Sequence, residues 1–292
     1  MARNYGARAR VRYHRLMAGT LYLVSTPIGN LEDLTYRAVR ILKEVSAIAC
    51  EDTRQARKLL DHYSISTPTL SYHDHNEASR TSQLCDRLEA GESLALISDA
   101  GTPLVSDPGY RFVKEAAARL IPVVPIPGAS SVMAALAASG LPTDSFTFVG
   151  FLPPKTGARQ KLFASWASAD ETIIAFEAPH RIVESLQELA AILPDRPVVL
   201  ARELTKLYEE FLRGTATQVS AAVTARGGVR GEITLLMGKS EAAVAVAPPA
   251  TIRGEVAALE QAGHSRTDAM KEVARRRGLG KREVYQAVHG LG

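Results

Sequence analysis

Short apolar runs alternate along the chain with longer segments whose apolar residues recur at helical spacing. Leu21–Thr26, Ser46–Glu51, Leu94–Asp99 and Val123–Pro127 predict strands, and Thr35–Lys43, Ser79–Ala90 and Tyr110–Arg119 predict helices between them. Strand and helix in alternation predict an α/β domain with a largely parallel sheet. A helix of small residues follows at Ala129–Ser139, and Gly140-Leu141-Pro142-Thr143 reads as a break. A second series of strands covers Phe146–Phe151, Thr172–Glu177, Val198–Glu203, Glu209–Thr215 and Glu232–Gly238, with helices at Ala158–Trp166, Arg181–Ile192 and Thr217–Ala225. The close spacing of the late strands predicts a mixed sheet with hairpins. Glu241–Ala250, rich in Ala, Val and Pro, reads as a linker. Three short helices close the chain at Arg253–Gln261, Arg266–Arg277 and Lys281–His289, punctuated by Gly263 and Gly278-Leu279-Gly280.

Charge changes this picture more than composition does. With 292 residues, 46% of them hydrophobic, the chain is long enough for about two domains with sizeable cores. The formal net charge of +4 is unevenly distributed. Residues 1–15 hold Arg3, Arg8, Arg10, Arg12 and Arg15 and no acid, and the last 43 residues are also basic, which leaves an acidic body. Basic ends on an acidic body suggest tails that meet a polyanion. Two cysteines, Cys50 and Cys85, exclude a disulfide scaffold and a Cys-based zinc site, and predict small packed thiols in a reducing compartment. The uncharged stretch from Ile121 to Thr143 contains Pro122, Pro125, Pro127 and Pro142 and makes a poor membrane span. No secretory core follows the Arg-rich start, so a cytoplasmic protein without a membrane segment is expected.

Candidate chemistry sits in loops after predicted strands, where open α/β sheets place ligands. In Ser25-Thr26-Pro27-Ile28-Gly29-Asn30, Pro27 and Gly29 shape the backbone while Thr26 and Asn30 offer polar groups. Ser98-Asp99-Ala100-Gly101-Thr102-Pro103, continuing to Ser106-Asp107-Pro108-Gly109, ends an apolar strand on a carboxylate and lets a ligand approach the backbone. Neither a phosphate loop nor GxGxxG occurs. Pro127-Gly128-Ala129-Ser130-Ser131 opens the small-residue helix, whose free N–H groups suit an anion or simple capping by serine. Glu177-Ala178-Pro179-His180-Arg181 and Arg202-Glu203-Leu204-Thr205-Lys206 place charge just past two strands of the second half. In Glu51-Asp52-Thr53-Arg54, Arg54 and nearby Arg57 suit phosphates or a salt-bridged helix start. His73 and His75 share one face of a strand, but no Cys or distant His stands at ligand spacing. No metal is therefore expected, and substrate contacts or loop hydrogen bonds are the readings for this pair. The C-terminal helices read either as a basic helix-turn-helix-like module or as a solvated cap.

The segments TPIGNLEDLT (26–35), CEDTRQARKLL (50–60), SYHDHNE (71–77), SDAGTPLVSDPGYR (98–111), PGASSVMAALAASGLPTDSF (127–146), GFLPPKTGAR (150–159), APHRI (178–182) and ARELTKLYEEFLRGT (201–215) carry a resemblance. As a set they closely resemble the bacterial small-subunit ribosomal RNA cytidine 2′-O-methyltransferase family of the tetrapyrrole-methylase superfamily. The match runs from Gly19 to about Lys239 and, more weakly, through the C-terminal helices. It implies two α/β domains of the tetrapyrrole-methylase type with the cofactor cleft between them, plus a small C-terminal helical module. Residues 1–18 are then a basic extension, 19–143 and 144–240 the two α/β domains, 241–252 a linker and 253–292 the basic module. The family usually starts near the position of Met17, and His is common there where Tyr208 stands here.

The resemblance also implies S-adenosylmethionine as methyl donor, a homodimer, and methylation of a ribose 2′-hydroxyl on a cytidine in the decoding region of 16S rRNA in the small ribosomal subunit. Pro27, Asp99, Gly101, Thr102, Pro103, Ser130, Ser131 and Val132 match the donor-binding loops, and Phe176 and Ala201 are expected to complete the cleft. Lys206, Glu203, Glu177 and Arg54 are the candidates for catalysis, Lys206 to orient or activate the hydroxyl and Glu177 or Glu203 to accept its proton. Asn30, Arg57, His73, His75, Arg181 and Arg202 are candidates for substrate contacts, together with Arg275, Arg276, Arg277 and Lys281 of the C-terminal module. Two other readings are a tetrapyrrole C-methyltransferase of the same superfamily and a non-catalytic RNA-binding protein on the same fold.

Overall fold

A computed structural model describes residues 18–240, 251–261 and 263–289. Nearly all of the expected N-terminal extension and residues 241–250 of the expected linker lie outside these. The chain divides after Ser240 into two compact units.

The first unit contains two five-stranded sheets. In the first, β1 (Leu21–Val24), β2 (Ala47–Cys50), β3 (Thr69–Ser71), β4 (Leu94–Ile97) and β5 (Val123–Ile126) run parallel in the order β3-β2-β4-β1-β5. Every residue of β2 and β4 is buried, as expected of strands covered on both faces. Alternation splits them cleanly. Ile48, Cys50, Ala95 and Ile97 face α1 (Tyr36–Glu44) and α2 (Thr53–His62). Ala47, Ala49, Leu94 and Leu96 face α3 (Glu77–Glu89) and α4 (Tyr110–Ala118). The sequence pattern did not predict β3, and of α2 it offered only a salt-bridged helix start at Glu51–Arg54, which the Arg54–Asp52 pair at 2.8 Å matches.

The second sheet contains β6 (Phe146–Phe151), β7 (Thr172–Glu177), β8 (Pro197–Arg202), β9 (Glu210–Thr215) and β10 (Ile233–Met237), in the order β6-β7-β10-β8-β9. Only β6 and β7 pair in parallel, so the sheet is mixed, as expected. One face is covered by α6 (Thr156–Ser165), α7 (Ile182–Ile192) and α8 (Ala216–Ala225), with Phe163, Leu186, Leu189 and Val219 against Ile173, Leu200 and Leu235.

The other face receives a helix that chain order assigns to the first half. Val132, Ala135 and Leu136 of α5 (Ser131–Ser139) pack on Ile174, Val199, Ala201 and Leu236. The small side chains of α5 let it approach the sheet closely. Its end is fixed from β9, where Arg213 donates to the carbonyls of Ser139 at 2.9 Å and Ala138 at 2.6 Å, a cation on the negative end of the helix. The two halves are thus joined by a helix with one buried face, and the loops at the C-terminal ends of β1, β4 and β5 are brought against the second sheet.

The second unit has three helices, α9 (Ile252–Gln261), α10 (Arg266–Arg277) and α11 (Lys281–His289). Val256, Ala269, Val273, Ala274, Val284 and Val288 form its core. Ser265 caps α10 by accepting from the Asp268 N–H, and Gly278 ends it in the left-handed conformation at φ 65°.

Candidate active site

A cavity of about 380 Å³ opens where the two halves meet, within the range of small-molecule sites. Asp99, Gly101, Thr102, Ser106 and Asp107 line it after β4, Ser130, Ser131 and Val132 at the start of α5, and Ile28 after β1. From the second sheet come Phe151, Phe176, Leu204, Gly231, Glu232 and Thr234.

The three loops of the first half are laced together. Thr26 and Gly101 exchange backbone hydrogen bonds of 2.8 and 3.1 Å in an isolated antiparallel bridge. Ser25 Oγ donates to Thr102 Oγ1 at 3.2 Å, and Thr102 Oγ1 donates to the Ala129 carbonyl at 3.3 Å. Gly101 sits at φ +80°, and a Cβ there would lie 3.1 Å from Ile28 Cγ2. Gly128 runs so close to Ser25 that a Cβ would fall 2.9 Å from the serine Cβ. These positions admit only the smallest residue, which keeps the backbone exposed to a ligand. Pro27, Pro103 and Ala201, expected to touch the donor, are buried behind this wall and hold its shape.

A second group closes the seam. Lys206 Nζ lies 3.0 Å from Glu203 Oε1 and 3.0 Å from Glu232 Oε2. Its stem lies across Gly29, where a Cβ would meet Lys206 Cγ at 2.5 Å. Thr205 Oγ1 accepts from the Asn30 N–H at 3.1 Å, so the loop after β8 is docked on the loop after β1. Glu203 and Thr205 hold positive φ of 51° and 66°, a strained turn that these contacts maintain. Burial works against the Lys206 charge, but the hydrogen bonds to Glu203 and Glu232 outweigh it and keep the ammonium above the usual lysine range. The Glu203 carboxyl is held below its usual range by the Glu232 backbone N–H and then by Lys206. Lys206 is therefore held as a cation, and Glu203, expected as a proton acceptor, has Oε1 engaged by Lys206 and by the Glu232 N–H at 3.0 Å each.

Glu177 is a further correction. It is among the residues that line the cavity, but its side chain is fully buried and held by groups at the start of α7. The carboxylate accepts from the Ala178 N–H at 2.7 Å and from Ser185 Oγ, and pairs with Arg181 at 2.6 Å. Both oxygens are committed, and Arg181, expected to meet substrate, is committed with them. Arg202 likewise pairs with Glu210 at 3.2 Å and donates to the Arg230 carbonyl at 3.2 Å, so it braces β8 against β9.

Outside the cavity Arg54 is exposed, and its guanidinium makes two hydrogen bonds to Asp52, of 3.1 and 2.8 Å, beside one from its backbone N–H at 2.8 Å. Asp52 in turn donates its N–H to Asp99 Oδ1 at 3.3 Å, which ties the start of α2 to the loop after β4. Arg57 pairs loosely with Asp61 at 3.5 Å and is also exposed. Both arginines can reach a polyanion outside the cavity, but neither lines it. His73 and His75 stand edge to face at 5.9 Å, with His73 Nε2 3.2 Å from Asn76 Nδ2. Among the described residues no group of three His, Cys, Asp or Glu side chains is placed to hold a metal ion. Asn30 uses its side chain to cap the short helix Leu31–Asp33, accepting from the Glu32 N–H at 3.1 Å.

In the second unit Arg275 and Arg276 share Glu272 at 2.7 and 2.9 Å, and Arg277 pairs with Glu255 at 2.6 Å. Exposed pairs of this kind are weak and can exchange their acid for a phosphate. Lys281 forms no ion pair among the described residues.

Several residues of the cavity wall, Asp107, Glu232 and Phe151 among them, were not named as site candidates from the sequence. Asp107 lies in the second Asp-Pro-Gly cluster, which was a usable signal. Glu232 and Phe151 come from distant segments, and only folding brings them to the rim. Phe151 is exposed yet packed edge-on against Phe176 at 5.4 Å, which itself meets Phe148 at 4.8 Å. The β6/β7 register shifts between Phe148 and Phe151, and this bulge aims the Phe151 ring at the opening.

Comparison with known proteins agrees with this geometry. The family model described as Tetrapyrrole (Corrin/Porphyrin) Methylases matches residues 20–220. A protein of Halalkalibacterium halodurans named ribosomal RNA small subunit methyltransferase I is 45% identical over 279 residues, covering 93% of this chain and 95% of that one. The protein of the same name from Bacillus subtilis is 44% identical over 276 residues, covering 93% and 94%. The crystal structure of uroporphyrin-III C-methyltransferase from Thermus thermophilus complexed with S-adenyl homocysteine has a TM-score of 0.52 at 22% identity, covering 75% of this chain and 97% of that one. That level of identity speaks for the fold. The chain belongs to the tetrapyrrole (corrin/porphyrin) methylase family and, within it, to the ribosomal RNA small subunit methyltransferase I group.

Proposed function

We propose that this protein transfers a methyl group from S-adenosylmethionine to the ribose 2′-hydroxyl of a cytidine in the decoding region of 16S rRNA. The observation that carries this reading is a near full-length match to proteins named small-subunit ribosomal RNA methyltransferases, joined to a donor-sized cavity walled by the loops that resemble theirs. The residues present fit the donor. Gly101 leaves the backbone of the wall bare, and Ile28, Val132 and Phe176 offer apolar surface. The first N–H groups of α5, beside Ser130 and Ser131, suit a carboxylate. Asp99, Gly101, Thr102, Ser130, Ser131, Val132 and Phe176 would hold the donor, which supplies a methyl group activated on a sulfonium.

The chain's own part is to position the acceptor and stabilise its charge. A ribose hydroxyl is a weak nucleophile, so alignment of the two reactants supplies much of the acceleration. Lys206, held as a cation between Glu203 and Glu232, is placed at the seam to stabilise negative charge growing on the acceptor oxygen. Phe151 at the mouth offers one ring face to an unstacked base. Arg54 and Arg57, with the cations of α10 and α11, supply phosphate contacts that an acidic body lacks. His73, His75 and Asn30 complete the rim on the acceptor side. We further propose that the protein works as a homodimer in the cytoplasm, where its ribosomal substrate is found. Among the described residues no helix is long and apolar enough to cross a membrane.

Incubation with labelled donor and either 30S subunits or a free tetrapyrrole tests the reading. Label in 16S rRNA at a ribose oxygen supports it. Label in the tetrapyrrole, or in neither despite donor binding, overturns it.

A further inference from the structure

Methylation of a hydroxyl requires that its proton go somewhere, and the carboxylates expected from the sequence are engaged elsewhere. Glu177 has both oxygens committed to Ala178, Ser185 and Arg181. Glu203 is held below its usual range by the Glu232 N–H and by Lys206. Glu232 carries Lys206 at 3.0 Å and is otherwise in solvent. Asp99 is exposed and accepts the Asp52 N–H. Asp107 differs from all four. Asp99, Glu177 and Glu232 line the cavity as well, but Asp107 alone of the five is both half-buried and without an ion pair to any described cation.

We infer that Asp107 is the proton acceptor for the hydroxyl that is methylated, an assignment that rests on the 2′-O-methyltransferase reading above. The loop carrying it is stiff. Leu104 and Ser106 both hold positive φ, 72° and 67°, and Pro108 follows. β6 passes beside it, where a Cβ on Gly150 would lie 3.6 Å from Ser106 Oγ. Asp107 and the exposed ring of Phe151 therefore share one wall of the opening, one polar and one able to take a base.

The surroundings raise its basicity. Burial first, then Glu51 at the end of β2 and Asp99 after β4, push the Asp107 carboxyl up to about 6, while a hydrogen bond with Ser98 works the other way. No cation is among the groups that act on it. His73 and Asp74 of the neighbouring loop act on Glu51. A carboxylate of this strength is ionised at neutral pH and takes a proton more readily than an ordinary aspartate. In the step, the O–H electron pair forms the new O–CH3 bond and the S–CH3 pair returns to sulfur. The proton passes to an Asp107 carboxylate oxygen, and from there to water once product leaves.

The test compares wild type with Asp107→Asn and Asp107→Glu in single-turnover methyl transfer to 30S subunits across pH. Wild type should lose rate in proportion to proton concentration below about pH 6. D107N should be slower by about 10²–10⁴-fold and lack that limb, and D107E should recover part of both. Donor and 30S affinities of D107N should stay within about 3-fold, because the group acts in the transition state. Independently of activity, a carboxyl carbon signal missing from D107N should titrate near pH 6 in the ligand-free protein. D107N should also melt above wild type at pH 8 and with it near pH 4. The sign follows from a folded value above the unfolded one: ionisation between the two destabilises the native state as pH rises, and Asn removes that loss. A D107N rate within about 3-fold of wild type overturns the assignment, as does an Asp107 midpoint near the ordinary value of about 4. A wild-type protein that methylates no ribose oxygen overturns the functional reading instead.

Discussion

Replacing Glu177 by Gln separates a structural carboxylate from a catalytic one. The Glu177 side chain is fully buried, and that of Arg181 is 18% exposed. Arg181 Nε already lacks a partner, so the pair with Glu177 is what neutralises it. Breaking a buried ion pair by neutralising one member costs about 3–5 kcal/mol. Gln keeps one acceptor for the Ala178 N–H, and Arg181 retains some water, so the lower end applies, about 3 kcal/mol. For a unit of this size each kcal/mol moves Tm by roughly 2–4 °C, which gives a drop of roughly 6–12 °C. Thermal unfolding followed by circular dichroism reads this shift. Single-turnover transfer at 20 °C, where the variant is still folded, should stay within about 3-fold of wild type. An unchanged Tm together with a rate loss of about 100-fold or more would refute the reasoning and return Glu177 to the chemistry.

The cavity makes further claims. Gly101→Ala forces a side chain into φ +80° against Ile28 and should weaken donor binding about 10-fold by calorimetry, since a left-handed residue with a Cβ costs roughly 1–2 kcal/mol. Lys206→Met keeps the stem on Gly29 but removes the cation, so kcat should fall by about 100-fold or more with donor affinity unchanged. Burial pushes the Cys50 thiol to about 12 and the Cys85 thiol to about 11, so neither should react with a thiol reagent at pH 8 until the protein is unfolded. Truncation after Ser240 removes a separate compact unit. It should lower 16S rRNA affinity and flatten its salt dependence while donor affinity stays intact.

Much of the fold was legible because its strands are short apolar runs between polar helices. The bounds of β6, β7, α10 and α11 coincide with those read from the pattern. The misses have physical causes. β3 is a three-residue edge strand held by pairing with β2 rather than by its own pattern. α2 buries only Ala56, Leu59 and Leu60 of ten residues, and its charged first turn read either as loop chemistry or as a salt-bridged helix start. The cavity wall was legible because small residues concentrate at strand ends, and Asp99, Gly101, Thr102, Ser130, Ser131, Val132 and Phe176 all lie on it. Charge was the poor guide. Arg202, Arg181, Glu203 and Glu177 stand at strand ends like the wall residues, but each is neutralised by a partner that only the tertiary structure supplies. Asp107 is the converse: its loop was marked as a candidate site from the sequence, but what raises its carboxyl, burial first and then Glu51, 56 positions earlier in the chain, is supplied only by the fold.

The most direct measurement is the position of the transferred methyl group. Wild-type protein, labelled S-adenosylmethionine and 30S subunits lacking the modification should yield one labelled nucleoside on digestion of 16S rRNA, a cytidine methylated at the ribose 2′-oxygen. Label on a base, on a different nucleoside or on a tetrapyrrole in place of RNA would contradict the account.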